Sequence, residues 1–445
     1  YVRVRTRPDT PAGTYRGKIV ISAEARQLTE LALEVSVWPY AIPRRWNFHT
    51  MGQFIWENVG RFHGQEANEE LYQRYYDFLL EHRFSPIEQY RRNLSPRMKL
   101  EECLRRGMNT VYLSGNFNAT AAEMEQLKKD YETVKRLGAL DYALIYIGDE
   151  TDKWDEMRQR AGLIHARLPG VMVMIGGSVP RPELLGHIDI YDPQVGGRSK
   201  VYSLQQEDTR LIAESQQRGE EFYWYVAAGP EYPHPNVQVE HPLIASRVLF
   251  WMTWKYGVTG FEYYCYNIWE RNYSRDPARR YPNVRWQADG WSRGWPTNGD
   301  GMLFYPGPIS SLRFEAIRDG IEDWESHQVL SDGVEALRRR ENPGRDAALI
   351  ARAEAMLKVR DEIVAGFNKY TFDPGRLLAE RQALGDLITE VVRVLGNADE
   401  LEKAAAARIG RQAALRRAML RERHVQACRI LNVEPLSQAA WNALW

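Results

Sequence analysis

The rhythm of apolar and polar positions changes three times along the chain. Over residues 1–43 the two alternate: Val2 and Val4, then Tyr15 to Ile21, then Leu31, Leu33, Val35 and Val37. A period of two is that of half-buried strands. Pro11-Ala-Gly13 supplies a turn, and Pro39 and Pro43 mark a linker. This stretch reads as part of a β-sandwich. From Trp46 to about Trp269, short β-prone runs alternate with helical patterns. Strands are expected at 48–55, 86–90, 110–115, 143–148, 171–176, 188–192, 221–228 and 260–267. Helices are clearest over 68–82, 121–137, 155–168, 205–218 and 242–256. Eight β/α units in succession predict a TIM (β/α)8 barrel with a parallel sheet. After about Ser311 the pattern is helical: Leu349, Ala353, Met356, Ile363 and Phe367 share one face, as do Leu377, Leu384, Ile388, Val391 and Leu395. The expected organisation is therefore multidomain α/β: a partial β-sandwich over 1–43, a barrel over 44–330 and a C-terminal helical region over 331–445.

Length and charge narrow the class. A chain of 445 residues is too long for one ordinary core. Lys+Arg and Asp+Glu balance at 59 each, which argues against nucleic acid as a partner. The Arg-rich stretch from Arg408 to Arg423 reads as a solvated helix face. No apolar run approaches the ~20 residues of a membrane span. Cys103, Cys265 and Cys428 are scattered and imply neither a disulfide framework nor a thiolate metal site. The nine histidines show no metal-binding spacing, and there is no glycine-rich phosphate loop and no Ser or Cys elbow. No metal or cofactor is expected. No signal peptide is visible, but Tyr1-Val-Arg-Val-Arg looks like the inside of a strand.

Candidate chemistry sits at the end of the apolar run Tyr142-Ala-Leu-Ile-Tyr-Ile-Gly148, where Asp149 and Glu150 stand side by side. Barrel enzymes carry catalytic groups where a strand gives way to its loop. Adjacent carboxylates repel, so one can hold a proton near neutral pH while the other stays ionised. That suits acid catalysis of glycosidic bond cleavage; a plain helix cap at Asp149 with a solvated Glu150 fits the dipeptide as well. The 14 Trp and 24 Tyr add to the picture. They crowd between Phe222 and Trp295, at Tyr223, Trp224, Tyr225, Tyr263, Tyr264, Tyr266, Trp269, Trp286, Trp291 and Trp295. Aromatic faces stack on sugar rings, although each of these residues alone also fits a large core.

Three groups of segments together resemble one family. They are Ile145-Tyr-Ile-Gly-Asp-Glu150; Tyr232-Pro-His-Pro-Asn236 with Arg247-Val-Leu-Phe-Trp251, Trp254-Lys-Tyr-Gly-Val-Thr-Gly-Phe261 and Asn267-Ile-Trp269; and Gly299-Asp-Gly-Met-Leu-Phe-Tyr-Pro-Gly307 leading into Ser311-Leu-Arg-Phe-Glu-Ala-Ile-Arg-Asp-Gly-Ile-Glu-Asp323. The set is similar to glycoside hydrolase family 123, the β-N-acetylgalactosaminidases, and to the wider bacterial group sharing that catalytic domain. The resemblance implies a retaining mechanism in which the 2-acetamido oxygen of the substrate is the nucleophile, outside the two-carboxylate scheme. Glu150 would then be the general acid/base, and Asp149 would orient the acetamido N–H. Trp224, Tyr225, Tyr264 and Trp269 would shape the acetamido pocket, with Asn267, Asp300 and Gln194 as hydroxyl binders. The implied partner is a glycan with a terminal amino sugar, met outside the cell or in the periplasm. The chain departs from the family pattern at Glu262-Tyr-Tyr-Cys265 and by carrying Glu231 on a Gly-Pro turn. A carboxylate after strand seven raises one alternative, a β-galactosidase-type enzyme with Glu231 as nucleophile; a non-catalytic carbohydrate-binding protein on a decayed barrel is a second, from another class.

Overall fold

The structure, a computed structural model, describes residues 2–7, 9–115, 117–269, 298–340 and 343–445. Trp286, Trp291 and Trp295 of the aromatic cluster lie outside the described residues. The chain divides into two compact units, neither of them continuous: Tyr1–Pro43, Ser326–Lys358 and Leu378–Arg408 form one, and Arg44–Glu325, Val359–Leu377 and Ile409–Trp445 the other.

In the first unit the alternating segment folds as an antiparallel hairpin, β1 (Gly13–Ala23) and β2 (Arg26–Val37). Its turn residues Glu24 and Ala25 both take positive φ, 49° and 62°, the twist that suits a two-residue hairpin loop. Val20, Ile21, Leu28 and Leu31 remain exposed. A second sheet facing the hairpin, which a sandwich needs, is not found among the described residues. After β2 the ring of Trp38 lies where a Cβ on Gly385 would come within 2.2 Å, and the Arg381 guanidinium sits 4.4 Å from its centroid.

The second unit is built on a parallel sheet. Its main strands are β3 (His49–Gly52), β4 (Val111–Ser114), β5 (Ala143–Asp149), β6 (Met172–Gly176) and β7 (Ile190–Asp192). Two short strands follow, β8 (Gln194–Val195) and β9 (Ser203–Leu204), and then β10 (Glu221–Tyr225) and β11 (Gly260–Tyr263). The seven main strands lie in the order β3-β11-β10-β7-β6-β5-β4. That is the cyclic order of a barrel with one place open, between β3 and β4. The expected strand at 86–90 belongs there and does not form: only an isolated antiparallel bridge, Gln53 to Glu88, is made. Pro86 has no N–H to give to a ladder. The segment is instead tied singly, by Phe54 N to Ile87 O at 2.8 Å and Gly115 N to Arg91 O at 2.6 Å. A parallel half-barrel sheet of seven strands is thus what the sequence builds where eight were expected.

Helices alternate with these strands, five of them where the sequence predicts them and two, Trp56–His63 and Leu100–Arg105, beyond those expected. They are α1 (Trp56–His63), α2 (Glu69–Glu81), α3 (Leu100–Arg105), α4 (Ala121–Arg136), α5 (Trp154–Arg167), α6 (Arg210–Gln217) and α7 (Ala245–Lys255). Asn68 caps α2 by accepting from Leu71 N, and Thr120 with Glu123 forms a capping box on α4. The C-terminal region is helical: α8 (Leu312–Arg338), α9 (Ala347–Leu357), α10 (Pro374–Leu395), α11 (Asp399–Ile430) and α12 (Gln438–Asn442). None of the described helices is long and apolar enough to cross a membrane.

The Arg-rich stretch is not a solvated face. In the part of α11 that belongs to the second unit, Arg416 pairs with Glu221 and Arg417 with Asp141. Arg423, 5% exposed, reaches Asp189 at 2.9 Å and Glu220 at 2.8 Å. Buried carboxylates at the N-terminal ends of β7 and β10 require such counter-charges, which sequence spacing on the helix alone does not reveal.

Candidate active site

A bulge aims the site. Along the β5–β6 ladder Tyr146 faces Met174 and Gly148 faces Ile175, so Ile147 is the extra residue. Without it Tyr146 and Asp149, three positions apart, would point to opposite faces of the sheet. With it both point inward. The outward side is marked by Gly148, where a Cβ would meet Met157 of α5 at 2.4 Å, and by Ile147 O, which accepts from Arg160 of α5.

At the carboxyl end of β5, Glu150 takes φ 42°, a left-handed conformation rare outside glycine. Its N–H donates to Gly176 O at 3.2 Å. Two glycines make room beside it. Any Cβ at Gly177, itself at φ 59°, would lie 2.6 Å from Glu150 Cγ. One at Gly176 would lie 1.8 Å from the Tyr146 hydroxyl and 3.0 Å from Asp149 Oδ1.

Each carboxyl of the pair has its own tyrosine. The Tyr225 hydroxyl donates to Glu150 Oε1 at 2.6 Å, and Tyr146 hydrogen-bonds Asp149. Asp149 keeps an exposed edge, yet protein is packed densely around it. That enclosure, with the neighbouring Glu150 charge, outweighs the Tyr146 bond and pushes its carboxyl up to about 6. Ladder partners carry the inward row onward. Asp149 is level with Gly176 and Gly176 with Asp192, while Tyr225 is level with both Gln194 and Glu262.

Asp192 and Glu262 were not among the expected site residues. Both are buried, and among the described residues neither Asp192 oxygen nor Glu262 Oε1 has a hydrogen-bond partner. Burial holds both carboxyls well above the ordinary range, Asp192 next by the charges of Glu262 and Asp149, and Glu262 by that of Asp149. Asp192 had a visible signal, an acid closing an apolar run just as Asp149 does. Glu262 stood inside a run and needed the register to be placed. No group of His, Cys, Asp or Glu suited to hold a metal ion is found among the described residues.

The other expected residues divide. Tyr225 reaches Glu150, and Gln194 lies beside it on the neighbouring strand. Tyr264 and Asp300 meet each other, hydroxyl to Oδ2 at 3.1 Å, with Tyr263 on Oδ1 at 3.1 Å. Trp224 faces the opposite way from Tyr225, buried, its Nε1 donating to Thr253 of α7 at 3.0 Å. Asn267 spends its amide on the backbone of Ile55, at 2.9 and 3.0 Å. Trp269 is buried among Phe62, Tyr75 and Phe304 and donates to Phe304 O at 3.0 Å. All three side chains, expected as sugar contacts, are buried and spend their polar atoms within the protein. Glu231 sits on the loop after β10 in an ion pair with Arg198 at 2.7 Å.

The long motifs have structural explanations. Arg247 and Trp251 of α7 both bond Asp323 of α8, at 2.7 and 2.8 Å. Arg313 donates to Val237 O, Gly299 O and Met302 O, fixing the loops around Asp300. The stretch 110–330, from the start of β4 into α8, matches the family model described as the glycoside hydrolase 123 catalytic domain. Residues 110–330 are a glycoside hydrolase 123 catalytic domain. Both members of the Asp149-Glu150 pair, and Asp192 and Glu262, lie inside this catalytic domain. Among solved structures, a β-glucuronidase from Ruminococcus gnavus in complex with N1-substituted uronic isofagomine is similar at 8% identity and a TM-score of 0.33. That match covers 69% of this chain, which spans 56% of the glucuronidase chain. None of the curated proteins compared matches the chain.

Proposed function

We propose that the catalytic domain belongs to a retaining exo-β-N-acetylgalactosaminidase that removes terminal β-linked N-acetylgalactosamine by substrate-assisted catalysis. The observation that carries this reading is the pair itself: two consecutive carboxyls on one strand end, each hydrogen-bonded by a different tyrosine. Consecutive carboxyls address two neighbouring points of one sugar. The acetamido oxygen attacks the anomeric carbon while Glu150 gives its proton to the leaving oxygen. Asp149, as carboxylate, accepts the acetamido N–H and stabilises the positive charge of the oxazolinium ring. Glu150 then takes a proton from the water that reopens the ring, so configuration is retained. Tyr225, Tyr264, Asp300 and Gln194 are the proposed substrate contacts. The alternative nucleophile Glu231 is held by Arg198 on a loop, which favours the substrate-assisted route over it.

Because Asp149 titrates near 6, hydrolysis should fall as the pH drops through that value. The deciding assay compares p-nitrophenyl β-N-acetylgalactosaminide with the corresponding galactoside, with and without a thiazoline that mimics the oxazoline. Cleavage of the acetamido sugar alone, blocked by thiazoline, supports the proposal. Galactoside cleavage indifferent to thiazoline and lost in Glu231→Ala moves the nucleophile to Glu231. Binding of N-acetylgalactosamine with no turnover of either glycoside makes the domain a sugar-binding module.

A further inference from the structure

Three carboxyls, Asp149, Asp192 and Glu262, point inward from β5, β7 and β11, and among the described residues only Asp149 of these has a hydroxyl donor. We propose that Tyr146 is a positioning residue that acts through Asp149: admitted by Gly176 and turned inward by the Ile147 bulge, its hydroxyl makes Asp149, rather than Asp192 or Glu262, the carboxylate of the inward row. This deepens the proposed function and, for its kinetic consequence, rests on it.

The geometry is specific. The position that a Cβ would occupy at Gly176 lies 1.8 Å from the Tyr146 oxygen and 3.0 Å from Asp149 Oδ1, so a side chain there would take the space in which hydroxyl and carboxylate meet. The Tyr146 ring is held edge-on to Tyr90 at 6.4 Å and packs with Tyr112 at 6.5 Å, which limits where its hydroxyl can swing. The titratable groups facing Asp149 are Tyr146 on β5, Glu150 just after it, Asp192 on β7, Tyr225 on β10, Glu262 on β11 and Tyr90 before β4. The charges acting on the three carboxyls are those of other carboxylates; no Lys, Arg or His among the described residues acts on them. Where acids share an enclosed space without a cation, ionising one suppresses the rest. A hydrogen bond to the charged form then decides which one ionises.

The test is a carboxyl-carbon NMR titration of the full chain labelled at aspartate, with the Asp149 signal assigned by Asp149→Asn. In the parent protein the midpoint should lie at about 6. Tyr146→Phe should raise it by at least about one unit, as should Gly176→Ala, which displaces the hydroxyl without removing it. Asp192→Asn and Glu262→Gln should leave it in place, because both acids are already neutral. In hydrolysis, Tyr146→Phe should move the acidic limb upward in step, about tenfold lower kcat/KM at pH 5 with little change at pH 8. A Tyr146→Phe midpoint that stays put, whatever happens to activity or Tm, overturns the proposal. A midpoint that falls in Asp192→Asn or Glu262→Gln overturns the charge assignment. The NMR midpoints need no turnover, so an inactive protein with the expected shifts refutes the hydrolase reading and not the positioning one.

Discussion

Glu262 places an acid inside the apolar strand β11. It is 4% exposed, and burial with the charge on Asp149 holds its carboxyl well above the ordinary range. An acid whose folded pKa is raised keeps its full contribution to stability below its unfolded value, about 4.3. That contribution is lost as the pH climbs through the folded value. Glu262 should therefore make the protein progressively less stable from pH 5 upward, through neutrality. Glu262→Gln removes the titration while keeping the shape. At pH 5 variant and parent should melt together; at pH 9 the variant should melt higher, by about 2–4 °C for each kcal/mol recovered. Thermal melts across that range check this. A variant that tracks the parent at every pH would mean that Glu262 is ionised or hydrated throughout.

Most elements were legible because their signals are local. The strand runs around Val111, Ala143, Met172 and Phe222 are apolar and β-prone, and α2 and α4 carry side-chain caps. What stayed illegible depends on partners distant in sequence. A bulge at Ile147 cannot be read from Ile145-Tyr-Ile-Gly148, although it decides which way Tyr146 and Asp149 face. The segment from Ser85 to Tyr90 has strand-like residues but lies between two strands it does not join. Trp224 and Tyr225 are adjacent and aromatic, and only register separates the core residue from the one that meets Glu150. Of the carboxyl pair, its position at a strand end was legible, and Asp192 carried the same signal; Glu262, inside a run, needed the register. The arginines of α11 belong to the same class. Arg423→Ala should leave buried Asp189 with His165 and Glu220 with Arg218 as their remaining partners, at a cost of up to about 3–5 kcal/mol. Urea unfolding at pH 7 measures this, and a loss below about 1 kcal/mol would show that water reaches those carboxylates.

Across the whole molecule, sequence order and compact units do not coincide. The unit that carries the site takes β3 from before residue 110 and part of α11 from after residue 330, both outside the family match. β3 pairs with β11 through Gly260 to Tyr263. A fragment of residues 110–330 should therefore not fold, and a chain ending at Arg408 should lose the catalytic unit as well, because Arg416, Arg417 and Arg423 go with the missing segment. Circular dichroism and size-exclusion chromatography of the two fragments test this; a cooperative thermal transition in either would show that the sheet does not need its distant partners.

The arginine clamp also sets an order of events during synthesis. Glu220 leaves the ribosome 203 residues ahead of Arg423. At 5–20 residues per second that interval is about 10–40 s. Through it, the nascent sheet has its strands but lacks one of the cations that its buried acids pair with. Completion of this unit is thus tied to the arrival of α11, and the half-made chain must be kept from aggregating until then.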